Sequence, residues 1–103
     1  MTDIINLSPD DLYVMLSNDE VVLVDVREDN EFAAERIPGA LSFPLSTLNP
    51  ADLPAGKTIV LSCAGGVRSV KAAALCQIDG LDINQHLAGG LNAWKAAGLP
   101  TER

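Results

Sequence analysis

LSCAGGVRSVKAAA, residues 61–74, ends an apolar run on one cysteine, turns on two adjacent glycines, places an arginine and then starts a helix. The run leading into it, TIVLS at 58–62, is β-branched and apolar on both faces, which is how a strand buried inside a parallel sheet reads. The helix that follows extends from about Val67 to Ile78, and Gly80 stops it. Buried strand, tight loop and helix together make one unit of an alternating α/β fold.

The same alternation continues in both directions. DIINL at 3–7 reads as a short first strand. Ser8 then stands as an N-cap, with Pro9 at the first helical position and Asp10 and Asp11 in the first turn of a helix to about Ser17. VVLVDV at 21–26 is a second buried strand, and EDNEFAAER at 28–36 a short helix with Phe32 and Ala33 inward. ALSF at 40–43 is a brief strand. Residues 44–57 carry Pro44, Pro50, Pro54 and Gly56 and hold about one helical turn. LDIN at 81–84 is expected as the next strand, and LNAWKAAG at 91–98 as the last helix, with Leu91 and Trp94 facing the core. The expected fold is one α/β domain over residues 1–103, a roughly five-stranded, mainly parallel sheet with helices on both faces.

Composition bounds what such a domain can do. The chain has 103 residues, 48% apolar and 20% charged, enough for a core without staples. Its net charge of −7 repels phosphate backbones and anionic membranes, so neither nucleic acid nor membrane is an expected partner. An anionic substrate needs a local positive site, which draws attention to Arg68. With two cysteines thirteen positions apart and one histidine, no zinc cluster is expected. The start, MTDIINLSPDD, is acidic and polar, unlike a signal peptide, and the chain reads as cytoplasmic with free thiols.

Ligands of open parallel sheets bind beyond the carboxyl ends of the strands, where Cys63 lies. Alone, this cysteine reads as a packed core thiol. A core thiol does not need Gly65, Gly66 and Arg68 in the turn behind it. The glycines let backbone N–H groups curl inward into an anion-binding nest, and the helix from Val67 adds its positive end. Thiols at such positions titrate at roughly 3.5–7.5 instead of about 8.5. The thiolate is the nucleophile, and no general base is then required. This reading needs the Cys63 side chain to reach solvent and to titrate below an ordinary thiol. A chain this short leaves little room for a lid, so a shallow, accessible site is expected.

The motifs resemble those of the rhodanese domain. CAGGVRS is similar to that family's C-x-x-G-x-R-S loop, VVLVDVRE to its strand ending in D-V-R-E, ERIPGALSFPL to its I-P-G-A segment, and HLAGGLNAWKAAGLP to its closing L-x-G-G-x-x-x-W-x-x-x-G-x-P pattern. The resemblance runs from about residue 4 to residue 100. It implies a thiosulfate-type sulfurtransferase in which Cys63 carries the sulfur as a persulfide. Arg68 would help bind an anionic donor and support the loop, and Ala64, Gly65, Gly66, Val67 and Ser69 would form the cradle. Cyanide or a thiol would accept the sulfur, and a protein acceptor, or a regulatory module serving a partner, is the second class. No metal or organic cofactor is implied. One departure is Arg36, where the family often has histidine before I-P-G-A. The C-x4-R spacing also sets the chain apart from cysteine phosphatases, whose C-x5-R ring is wider to take a tetrahedral phosphate, so phosphatase or arsenate reductase chemistry is disfavoured.

The remaining polar residues read more plainly. His86 lies at a strand end, within reach of the site, and is expected to be structural or exposed rather than catalytic. Cys76 is expected to be a packed helix cysteine, although a resolving role for Cys63 is the sharper alternative. Asp25 and Arg27 read as an ion pair that orders neighbouring loops.

Overall fold

The computed structural model describes residues 3–103. Five strands form one sheet: β1 (Ile5–Leu7), β2 (Val21–Asp25), β3 (Leu41–Ser42), β4 (Thr58–Ser62) and β5 (Gln85–Leu87). Four helices connect them: α1 (Pro9–Ser17), α2 (Asp29–Ala34), α3 (Val67–Ile78) and α4 (Gly90–Ala96). Two 3₁₀ turns, Leu45–Thr47 and Pro50–Asp52, fill the proline-rich stretch where one helical turn is expected. The spatial order is β1-β5-β4-β2-β3, and every pairing is parallel. An antiparallel bridge, Arg36 to Glu102, ties the chain end to the segment after α2.

The two faces of the sheet are filled by alternate residues, as the pleat requires. Val24, Val26, Ile59, Leu61 and Cys63 point to one face and meet Ala72, Ala73 and Cys76 of α3. Val21, Leu23, Val60 and Leu87 point to the other and meet Leu12 of α1 with Leu91 and Trp94 of α4. Helices therefore cover both faces, and β4 and β2 read as continuous apolar runs because both their faces are buried. The Ser8 Oγ accepts the Asp11 N–H at 3.1 Å, so the N-cap of α1 forms as expected.

Two local expectations are corrected. The strand assigned to LDIN lies three to four residues later, at Gln85–Leu87. Leu81 and Asp82 are exposed, whereas Gln85, His86 and Leu87 carry the ladder to Ile5, Asn6 and Leu7 of β1. Two polar residues in a buried strand hide it from an apolar pattern. Ala33 is exposed rather than inward, and α2 has no fully buried residue. That helix is held by polar contacts instead of by an apolar face.

Candidate active site: the Cys63 loop

Cys63 leaves β4 at its carboxyl end, between the starts of two helices. α4 begins at Gly90 without a side-chain cap. Its first-turn amides are satisfied by the loop itself: the Leu91 N–H donates to the Cys63 carbonyl at 2.8 Å and the Asn92 N–H to the Ala64 carbonyl at 3.0 Å. Gly90 permits this approach. A Cβ there would strike the Cys63 carbonyl oxygen and lie 2.7 Å from the Ala64 carbonyl carbon, at φ +60°.

α3 likewise begins without a side-chain cap on the preceding residue, Gly66, which sits at φ 99°. The sulfur serves in its place. Cys63 Sγ accepts the Gly66 N–H at 3.1 Å and the Ser69 N–H at 3.4 Å, and lies 3.6 Å from Ser69 Oγ. Unpaired first-turn amides prefer an anion, so the start of α3 favours the thiolate over the thiol. Burial pushes the Cys63 thiol up, but the Ser69 hydroxyl and the amides of Ser69, Gly66 and Gly65 together bring it below the ordinary thiol value of 9.0. The direction of that shift is the one the reading of Cys63 requires. The expected access to solvent is absent: the residue exposes 1% of its surface. The site is neither shallow nor open at the sulfur, because Cys63 packs in the core with Ala72, Ala73 and Cys76 of α3.

Arg68 lies on the outer side of this loop, engaged with a residue that sequence reasoning missed. Its Nη1 and Nη2 donate to Oε1 and Oε2 of Glu31 at 2.6 and 3.0 Å. Arg68 holds the Glu31 carboxyl at about 2, far below its usual 4.5, against the opposing effect of partial burial. The Arg68 charge also bears on the Cys63 sulfur. Glu31 is fixed in turn by the start of α2, where its Oε1 accepts the Glu28 N–H at 3.1 Å in a capping box. The E-x-x-E spacing of residues 28–31 before Phe32 was the available signal.

Asp25 and Arg27 form the ion pair expected of them, with Arg27 Nη2 2.7 Å and Nε 2.9 Å from Asp25 Oδ2. Arg27 also donates to the carbonyls of Glu31 at 3.3 Å and Glu35 at 2.7 Å, which pins α2 and so places Glu31 against Arg68. Arg36 lies with its guanidinium 5.3 Å from the Phe32 ring centre and 3.3 Å from Glu102, a packing role at the chain end. Cys76 is a buried, unpaired thiol on α3, and burial, with Asp79 nearby, pushes it up.

His86 lies beside the site, as its place at a strand end allows. It is buried on β5, with Nδ1 2.8 Å from Ser69 Oγ and Nε2 2.6 Å from Asn6 Oδ1. Of the cradle residues expected from sequence, Gly65, Gly66 and Ser69 act on the sulfur through their amides. Ala64 anchors the loop to α4 through its carbonyl. Val67, 66% exposed, lies at the rim with its side chain in solvent.

Comparison with known proteins agrees with this geometry. The rhodanese-like domain family matches residues 8–97. An uncharacterized protein of Synechocystis is 48% identical over 99 residues, 94% of this chain; the chain spans only about half of that relative, 55% of its length. A sulfurtransferase of Allochromatium vinosum is 34% identical over 88 residues, 84% of this chain and 82% of its own length. A solved structure from Rhodopseudomonas palustris, a protein of unknown function described as a "Possible Tyrosine Phosphatase", superposes with a TM-score of 0.83 at 32% identity, over 96% of this chain and 85% of that one. A parallel sheet in this strand order, a C-x4-R loop capping α3 and a match over most of the chain place the protein in the rhodanese-like domain family.

Proposed function

We propose that the chain is a sulfurtransferase acting as one domain over residues 1–103, with Cys63 carrying a sulfane sulfur as a persulfide. The observation that supports this most directly is the seat of Cys63 Sγ on the unpaired Gly66 and Ser69 amides at the start of α3. In the first half-reaction the thiolate attacks the outer sulfur of a donor such as thiosulfate. An S–S bond forms at Cys63, the donor's S–S bond breaks, and sulfite leaves with its electron pair. In the second, cyanide or a thiolate attacks the outer sulfur and the Cys63 thiolate is regenerated. The two steps predict ping-pong kinetics. Atoms and charge balance in each step with no cofactor.

The burial of Cys63 weighs against this reading and limits how it operates. Cys63 packs among buried apolar residues, Ala72, Ala73 and Cys76 of α3 with them, and the loop that follows it, Ala64, Gly65 and Gly66, is built of small residues. Transfer requires one sulfur atom to reach Sγ, across a bond of about 2.05 Å, so the site has to open there by at least an atom's width. The C-x4-R ring leaves less room for a tetrahedral phosphate, which is why phosphatase chemistry is the poorer fit despite the Rhodopseudomonas neighbour's description.

A persulfide relay to a protein acceptor is the second reading. It is favoured by exposed Val67 and Val70 beside the loop and by Ile78, 78% exposed, further along α3. Among the described residues no helix is long and apolar enough to cross a membrane. The two unpaired thiols fit a reducing, cytoplasmic setting.

Intact-mass measurement after incubation with thiosulfate tests the proposal. The expected result is a gain of one sulfur atom, discharged by cyanide and absent in Cys63→Ser. Loading only from a protein persulfide selects the relay. Hydrolysis of an aryl phosphate in place of loading overturns sulfur transfer.

A further inference from the structure

The buried imidazole of His86 uses both its nitrogens, and each contact constrains the other. Asn6 and His86 are register partners across β1 and β5, so their side chains leave the sheet side by side. Asn6 Oδ1, 2.6 Å from Nε2, can only accept, so the proton of a neutral imidazole resides on Nε2. Nδ1 then presents a lone pair to Ser69 Oγ at 2.8 Å. Ser69 is fully buried, and its hydroxyl lies between Nδ1 and Cys63 Sγ, 3.6 Å from the sulfur. The imidazole also backs directly onto the loop: a Cβ on Gly66 would lie 3.8 Å from His86 Cε1.

We propose that His86 is the proton acceptor for Cys63, reached through the Ser69 hydroxyl, and that Asn6 fixes the tautomer that makes this possible. The step is a paired proton shift. The Cys63 S–H bond breaks as an O–H bond forms at Ser69 Oγ, while the original Ser69 O–H breaks as an N–H forms at His86 Nδ1. A thiol and a neutral imidazole become a thiolate and an imidazolium, and the charge of the site is unchanged. After the shift Ser69 donates to the sulfur and accepts from Nδ1, so both of its contacts persist with their polarity reversed, while Nε2 still donates to Asn6. His86 is thus a positioning residue that sets the direction of the Ser69 hydrogen bond and holds the proton, without touching substrate.

Among the described residues, the contacts of His86 lead to one titratable group. β1 presents the uncharged Asn6, β4 presents Leu61 as register partner, and α3 presents Ser69; Cys63 lies beyond Ser69. The Arg68–Glu31 pair bears on Cys63 from the outer side. Burial alone holds His86 below its usual 6.5, so its resting form is the neutral acceptor. This role deepens the sulfur-transfer reading of Cys63 and rests on it for its use, though the proton linkage can be measured without any sulfur donor.

His86 is the chain's sole histidine, so its imidazole signals in NMR are unambiguous. Interacting sites shift each other reciprocally. The His86 midpoint in the native protein should therefore lie above that in Cys63→Ala by about one pH unit, a tenfold effect, and Ser69→Ala should abolish the difference. In a second measurement, ultraviolet titration of the thiolate in His86→Gln, which retains hydrogen-bonding groups but cannot take up a proton, should show the Cys63 midpoint raised by a similar amount. Identical His86 titration in the native protein and Cys63→Ala overturns the relay, as does an unchanged or lowered Cys63 midpoint in folded His86→Gln. Linkage without sulfur loading supports the relay and sinks the sulfur-transfer reading; loading without linkage does the reverse.

Discussion

Arg68 faces Glu31 with both terminal nitrogens, at 2.6 and 3.0 Å, so the positive charge nearest the Cys63 loop is already paired with a carboxylate. An incoming anionic donor meets an ion pair rather than a free cation, on a chain of net charge −7. Glu31 orders the arginine and, at the same time, offsets its attraction for the donor.

Replacing Glu31 with Gln retains an acceptor for Arg68 and removes the negative charge. The expected outcome is a lower KM for thiosulfate at low salt, by roughly 2- to 5-fold, as befits a part-exposed pair, with the advantage fading as salt rises. A raised KM would mean that order in Arg68 matters more than its free charge. The same variant checks a pH dependence. The Glu31 carboxyl lies near 2 when folded, below its usual 4.5, so its pairing stabilises the fold fully above 4.5 and is lost as pH falls toward 2. Denaturant midpoints of the native protein and Glu31→Gln should converge over that window; a constant gap would show that the pair does not contribute through ionisation.

Gly90 and Gly65 make a matched test of the loop. A Cβ on Gly90 meets the carbonyls of Cys63 and Ala64 at positive φ, whereas one on Gly65 meets nothing within 4 Å. Gly90→Ala is therefore expected to cost more than about 2 kcal/mol and to abolish sulfur loading, since the loop must move off α4. Gly65→Ala should stay within about 0.5 kcal/mol of the native protein. Comparable losses in both, read by urea unfolding, would show that the Gly90 contact does not govern the loop.

The difference between those two glycines was not visible in the sequence, where both belong to ordinary Gly-Gly pairs. What was visible rests on local pattern. TIVLS and VVLVDV read as buried strands because both their faces are covered, and Cys63, the glycines and Ser69 read as a site because their contacts fall within six residues. The parts that were missed join residues far apart in the chain. Glu31 reaches Arg68 across 37 positions and His86 reaches Asn6 across 80. A lone histidine carries no sign of such neighbours, and its polarity concealed the strand that holds it. The openness expected at Cys63 failed for a related reason: chain length says nothing of how tightly a loop closes on its own sulfur.

Cys63 and Cys76 should separate by reactivity. Cys63 lies below the ordinary thiol value through its amide and hydroxyl contacts, while burial holds Cys76 above it. Both thiols are buried, so alkylation of the native protein should be slow, with the first addition at Cys63 and Cys76 labelling only in denaturant. Because the folded pKa of Cys63 is lowered, its labelling should fall away at a lower pH than that of an ordinary thiol. Labelling that begins at Cys76, or that at Cys63 rises only near 9.0, contradicts the role given to the α3 amides.

The Arg27–Asp25 pair is buried on both sides, whereas the Lys57–Asp19 pair, at 2.7 Å, has its carboxylate almost wholly in solvent. Equal distances here carry unequal consequences. Arg27→Met leaves Asp25 buried without its partner and releases the carbonyls of Glu31 and Glu35 that hold α2. The expected cost is about 3–5 kcal/mol, against about 0–1 kcal/mol for Lys57→Met. Adding Asp25→Leu to Arg27→Met should recover part of the stability, since the uncompensated charge is then gone. Sulfur loading should follow stability, because Arg68 released from Glu31 keeps its charge for the donor. Urea unfolding and intact mass on the same three variants decide the matter, and loading that stays lost while stability returns would show that α2, by ordering Arg68, is needed for transfer.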